Sequence, residues 1–316
     1  MNRVGARRLR RRTWAVILVP LTLVVVACFG PPPPPPPPPS SPLVQAACDG
    51  RLHASVAGQV QSTALTETSG VAASRTNPSV LWAHNDSGDT ARVFAMTTSG
   101  QHLGSLTLNG ASATDWEDMA IGPGPLAGRS YLYVGDIGDN NHARASIVVY
   151  RVAEPSVNVQ QPPGDGQVLG GVESFTLTYP DGAHDAEALA VDPASGDIVI
   201  VTKELSGQAG IYVHSASSSS TVLSRKDPID LGIGTLVTGA GVSPDGTAVV
   251  LRTYGSVLLF PRPDGAALDD AFRSSSCTGA SSSEAQGEAV AVTPDGRGYV
   301  TISEGSQPPI NRFEIA

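Results

Sequence analysis

Glu187-Ala-Leu-Ala-Val-Asp192, then Pro193-Ala-Ser-Gly196, then Ile198-Val-Ile-Val-Thr-Lys203 read as an apolar strand, a tight turn and a second apolar strand that ends in polar residues. The same plan recurs in Ser69–Ser74 with Val80–Asn85, Glu117–Gly122 with Tyr131–Asp136, Thr238–Ser243 with Ala248–Arg252, and Glu288–Thr293 with Gly298–Ser303, making five copies. The joining segments (Thr76-Asn-Pro, Gly122-Pro-Gly-Pro, Pro244-Asp-Gly, Pro294-Asp-Gly) carry the Pro and Gly that hairpin turns require. Further strands follow at Arg92–Thr97, Ile147–Val152, Ile211–Ser215 and Val257–Phe260. Four strands per repeat is the make-up of a propeller blade, so the fold class is all-β and the architecture a five-bladed β-propeller.

The copies start 48, 70, 51 and 50 residues apart, and the long interval contains the Pro/Gly-rich segment Gln160–Gly171, read as a loop insertion. A six-bladed ring is the alternative, if that interval hides a degenerate blade around Phe175–Tyr179. Only 29 residues remain from Glu288 to the end, room for three strands. The missing strand is expected from Leu52–Gln61, pairing with Asn311–Ile315 so that neither edge stays open. Such closure brings Cys48 close to Cys277, and a disulfide between them is expected in an oxidising compartment, with two buried thiols as the alternative.

The N-terminus supplies the compartment. Met1–Arg12 holds six arginines and no acid, and Thr13–Ala27 is an apolar run ending Val-Val-Ala-Cys28. Residues 1–27 therefore read as a signal peptide with a lipobox, and Cys28 as the lipidated residue, with an uncleaved anchor as the alternative. Arg11-Arg12 leaves twin-arginine export open. Pro31–Pro39, nine prolines in a row, make 28–47 a stiff spacer of roughly 28 Å in polyproline geometry. The folded domain is expected over 48–316. The chain is placed on the extracytoplasmic side of the cell membrane, held by a lipid on Cys28.

Loss of six arginines takes the net charge from −9 to −15. Nucleic acid and anionic surfaces are excluded as partners by that balance, and a monomer is expected. At 5% aromatics the surface is poor in sugar-stacking side chains.

In a propeller the first strand of each blade lines the axis, so equivalent repeat positions form a ring: Ser69, Glu117, Glu187, Thr238 and Glu288. Alternation along a strand adds Glu67, Asp115, Asp185, Leu236 and Gln286 just outside it. So many carboxylates at one place require protonation or a cation, and oxygen-only donors select a hard one, Ca²⁺ before Mg²⁺. The plainer reading is a wet channel mouth that binds nothing. Asp86, Lys203, Glu204, Arg252, Tyr254 and Glu304 share that face, together with the loops Asn85–Asp89 and Asp136–His142. Asp86, Asp115 and Asp185 are candidate bases, and Lys203 and Arg252 candidate charge holders, for metal-assisted hydrolysis. No nucleophile elbow, zinc helix, P-loop or dinucleotide fingerprint is present.

The ring order resembles that of the calcium-activated nucleotidases (apyrases), five-bladed propellers with ligands in an order like Ser, Glu, Glu, Ser, Glu around one Ca²⁺. Glu67-Thr-Ser69, Glu117-Asp-Met-Ala-Ile and Tyr131-Leu-Tyr-Val-Gly are similar to that family's first two blades. The paired basic residues of its third blade have here only Lys203, followed by Glu204. Weaker similarity extends to phytase-like esterase propellers and to strictosidine-synthase or gluconolactonase-like ones. The resemblance implies a calcium-dependent hydrolase of a small phosphorylated molecule. A non-catalytic envelope propeller that binds a protein or glycan, and a lactone or ester hydrolase, are the other readings.

Overall fold

The computed structural model describes residues 41–316. The signal-peptide, Cys28 and Pro31–Pro39 assignments lie outside the described residues. Among those described, no helix is long and apolar enough to cross a membrane.

Five sheets, each built on four antiparallel strands, make five blades. The first blade is β2 (Thr68–Ala73), β3 (Val80–Asn85), β4 (Arg92–Thr97) and β5 (His102–Leu108), and the second is β6 (Trp116–Pro123), β7 (Ser130–Asp136), β8 (Ile147–Ala153) and β10 (Glu173–Leu177). The third is β11 (Ala186–Val191), β12 (Ile198–Thr202), β13 (Gln208–His214) and β14 (Ser224–Asp230). The fourth is β15 (Val237–Val242), β16 (Ala248–Thr253), β17 (Val257–Pro261) and the two-residue β18 (Cys277–Thr278). The fifth is β19 (Gly287–Val292), β20 (Gly298–Ser303), β21 (Pro309–Ile315) and, from the other end of the chain, β1 (Leu52–Gln59).

β1 runs antiparallel to β21 from Leu52 opposite Ile315 to Gln59 opposite Pro309, so the expected closure is present. The inner strands β2, β6, β11, β15 and β19 each pack on the next, and β19 returns to β2. Inner strands are buried along most of their length, whereas β1 and β14 at the rim are mostly exposed. The core is correspondingly divided into five apolar layers, one between each pair of adjacent blades. Trp82 and Trp116 fill the layer between the first two blades, and Tyr133 and Tyr212 the next.

Two segments differ from the sequence reading. Residues 167–169 of the Gln160–Gly171 insertion form β9, which adds to β5 in parallel as a fifth strand of the first blade. Phe175 belongs to the outer strand of the second blade, so the long interval carries no sixth blade. Pro42–Cys48, with 42–47 read as the end of the spacer, is a helix, α1, with Ser41 at its N-cap. Leu43, Val44, Ala46 and Ala47 are buried, and the first two and Ala47 pack in the layer between the fourth and fifth blades with Leu259, Tyr299 and Phe313. Burial of these side chains, not propensity, sets so short a helix. Cys48, its last residue, is disulfide-bonded to Cys277 across 229 positions.

Candidate metal centre

Each inner strand carries one irregularity, and all five fall at the ring positions. The pairing of β2 with β3 jumps between Thr68 and Gly70, that of β6 with β7 between Trp116 and Asp118, and that of β11 with β12 between Ala186 and Ala188. The remaining jumps lie between Val237 and Gly239 and between Gly287 and Ala289. Ser69, Glu117, Glu187, Thr238 and Glu288 are therefore the extra residues of five β-bulges. A bulge leaves one residue out of the ladder and re-aims its side chain, which is how polar groups come to the end of otherwise apolar inner strands. All five residues are buried, the glutamates to 2%, 2% and 4% exposure.

The ring is not five-fold in its bonding. Ser69 Oγ donates to the backbone carbonyl of Glu117 in the next blade, and Thr238 Oγ1 donates to that of Gly287 at 3.0 Å, again in the next blade. The two hydroxyls thus brace neighbouring bulges. Carboxylates of the first three blades converge in two groups. Asp86, Asp115 and Glu117 can each bring an oxygen within 4.8 Å of the others, and so can Glu117, Asp185 and Glu187. Glu117 is common to both groups. Of the outer positions, Asp115 and Asp185 join the ring acids, whereas Glu67 and Gln286 are exposed and Leu236 is half-buried.

Side chains at strand ends and in the following loop fix this arrangement through backbone amides. Asn85 Oδ1 accepts the N–H groups of Thr66 and Glu67, both at 3.0 Å, and Asp136 accepts those of Thr114 and Asp115, both at 3.1 Å. The two residues occupy the same place in successive blades and hold the approach to each bulge. Asp139 donates its N–H to Asp185 Oδ1 at 2.7 Å, and its own carboxylate accepts Ala143 and Arg144 amides. Gly138 lies flat against the acids: a Cβ there would stand 2.1 Å from Glu117 Oε1 and 2.6 Å from Asp115 Oδ2.

The cations are engaged. Lys203 Nζ donates to Glu187 Oε1 at 2.5 Å and lies 3.3 Å from Tyr254 Oη, which in turn lies 3.3 Å from Glu288 Oε1. Arg252 bonds to Glu284 at 2.5 Å, both side chains being buried. Glu284 also accepts the Thr301 hydroxyl and the Asn311 amide, each at 2.6 Å, so this pair belongs to the wall between the fourth and fifth blades.

Burial is the main cause of the shifted acidities. It drives the Glu117 pKa well above the ordinary carboxylate value, with the charge of Glu187 next in effect. Glu187 is pushed up to about 7 by burial even though Lys203 opposes the shift. Glu288 is pushed up to about 9 by burial and then by Glu304, and Asp115 to about 6 by burial and then by Asp86 and Asp185. Asp86 is raised by burial as well. Burial works against the Lys203 ammonium, but the charge of Glu187 outweighs it and holds this group above its ordinary value.

Glu304, placed on this face by the sequence, lies beside Glu288 and raises its pKa. One acid escaped the sequence reading. Asp118, fully buried next to Glu117, accepts the N–H groups of Met119 and Leu189 at 2.8 Å and of Ala240 at 2.9 Å, which ties the second, third and fourth blades together beneath the ring. Below it the bore is lined by small apolar side chains such as Ala72, Ala190 and Ala291.

No protein-family model matches this chain, and no curated protein matches it. Among solved structures, it is similar to the apo-form soluble aldose sugar dehydrogenase from Escherichia coli, at 10% identity and TM-score 0.46, covering 84% of this chain and 100% of that one. Similarity to Raptor from Chaetomium thermophilum is at 13% identity and TM-score 0.37, over 84% of this chain but only 21% of that protein's length. Hydrazine synthase from Kuenenia stuttgartiensis matches at 11% identity and TM-score 0.41, over 75% of this chain and 68% of that one.

Proposed function

We propose that this chain is an extracytoplasmic lipoprotein, anchored to the membrane through Cys28, whose propeller holds a calcium ion among Glu117, Asp185 and Glu187 and hydrolyses phosphate esters or anhydrides. The observation that carries the reading is the sharing of Glu117, a carboxylate buried to 2% exposure, by two groups of converging acids. A donor set made only of carboxylate oxygens fits a hard cation, and the bulges bring those oxygens together from two blades. Ser69 and Thr238 brace the bulges from the other blades, and Glu288 stands towards Tyr254.

A bound cation would polarise a phosphoryl oxygen. Asp115, with its pKa pushed up to about 6, is suited to take a proton from an attacking water near neutral pH. Asp86, half-buried beside it, and Asp185, held by the Asp139 amide, complete the acidic wall. The test is calcium-dependent phosphate release from a panel of nucleotides and phosphoesters, with Glu187→Gln alongside. Release that needs calcium and is lost in the variant supports the reading, and an equal rate in the variant removes it.

One observation favours a non-catalytic propeller that binds an envelope protein or glycan. Lys203 is the one cationic side chain among the described residues that bonds to a ring acid, and Arg252 is held by Glu284, so neither is free for a phosphate. A stoichiometric partner recovered from envelope extracts, together with no turnover on the panel, decides for that reading.

A further inference from the structure

We infer that Lys203 is an internal counter-ion which a divalent cation must displace from Glu187, so that loading of the centre moves this side chain towards Tyr254 and Glu288. The inference rests on the cation reading above and concerns how that centre is controlled.

The ring offers glutamates from the second, third and fifth blades but Thr238 from the fourth. Lys203 and Tyr254 bridge that gap. Nζ is 2.5 Å from Glu187 Oε1 and 3.3 Å from Tyr254 Oη, with the ring centroid of Tyr254 at 5.4 Å. Tyr254 Oη is 3.3 Å from Glu288 Oε1, so the next carboxylate along the bridge after Glu187 is Glu288. The ammonium therefore lies between an acid that belongs to the converging group and one that does not.

A cation drawn to Glu117, Asp185 and Glu187 meets Nζ already bonded to one of its donors. Glu187 would then hold two positive groups on one carboxylate, and in a buried site their repulsion is screened little. Lysine has a flexible four-carbon stem and a single charged tip, so it can leave without disturbing the strand that carries it. The Lys203 side chain is 17% exposed and Tyr254 37%, which leaves both room to turn outward. Glu288, buried and close to Glu304, gains a counter-ion when Nζ arrives. Lys203 thus neutralises part of the centre before loading and compensates Glu288 after it.

The chain contains only two lysines, Lys203 and Lys226, so the side chain can be followed without ambiguity. Lys226 pairs with Asp269 at 3.3 Å on the rim and serves as the internal reference. The experiment is titration of Ca²⁺ into lysine-labelled protein, observed by NMR at the side-chain Cε and Nζ, with calorimetry on wild type and Lys203→Met. The expected result is movement of the Lys203 signals while those of Lys226 stay, and calcium affinity raised by about tenfold or more in K203M. Calcium binding by wild type with the Lys203 signals unmoved and K203M affinity unchanged overturns the displacement and leaves the cation reading standing. Absence of binding by both proteins overturns the cation reading and the displacement with it. If K203M fails to fold, the wild-type spectra alone decide.

Discussion

The carboxylate of Asp118 in the second blade accepts the backbone N–H of Ala240 in the fourth at 2.9 Å, joining two blades that are not neighbours in the ring. With Leu189 and Met119 it completes three amide bonds around one fully buried side chain. Removal leaves three N–H groups in an apolar bore, and each unsatisfied donor costs about 1–3 kcal/mol. Asp118→Ala is expected to lose several times the stability lost by an average core substitution, and Asp118→Asn less, because one acceptor remains. Urea unfolding measures both. A loss below about 1 kcal/mol for the alanine variant would contradict this role.

Arg252 and Glu284 give a second test, one that separates wall from catalyst. Their 2.5 Å bond is buried, and Arg252 alone among its partners is a cation. Truncation to Met strands the Glu284 charge, at about 3–5 kcal/mol. Arg252→Met is expected to unfold earlier, and the double variant with Glu284→Gln to recover a large part of the loss. A normal melting temperature accompanied by lost turnover would instead return Arg252 to the reaction.

Acidity supplies the third. In the folded chain Asp115, Glu187 and Glu288 keep their protons up to about 6, 7 and 9, against ordinary values of 3.8 for Asp and 4.5 for Glu. The folded state therefore binds more protons than the unfolded state through this window. Their contribution to stability is full below about pH 4 and is lost as pH rises towards about 9. Melting temperature in EDTA is expected to fall between pH 5 and about 9, and calcium to raise it most at the alkaline end, where the acids are charged. A melting temperature that climbs with pH in EDTA would contradict the sign.

Gly138 supplies the fourth. A Cβ at this position would stand 2.1 Å from Glu117 Oε1 and 2.6 Å from Asp115 Oδ2, which forces the carboxylates aside. Gly138→Ala is expected to weaken calcium binding roughly 10–100-fold while every ligand remains, as groups that orient ligands do. Calorimetry beside a circular-dichroism check of folding reads it, and unchanged affinity would show that the acids have room to move.

The ring was legible because a bulge at a fixed repeat position keeps its residue at a fixed place in the repeat. Ser69, Glu117, Glu187, Thr238 and Glu288 align by register alone. The bulge itself leaves no local signature, so strand alternation picked out Asp115 and Asp185, which converge with ring acids, but also Glu67 and Gln286, which are exposed, and Leu236, which is half-buried. Asp118 reads as one more acid beside Glu117, since its partners lie 71 and 122 positions away. The helix Pro42–Cys48 was hidden by its length of seven residues, too few to show a period next to a proline tract. The strand Gln167–Leu169 was hidden by the glycines around it.

The disulfide between Cys48 and Cys277 lies upstream of β1 in the path of the chain. A pull applied from the N-terminal side reaches Cys48 before it reaches Leu52. Load therefore passes through a covalent bond into the fourth blade, and the seam where β1 meets β21 carries none of it. With the bond intact the ring hangs from its body. With the bond reduced it hangs from its zip, and the same tension peels Leu52 from Ile315 first.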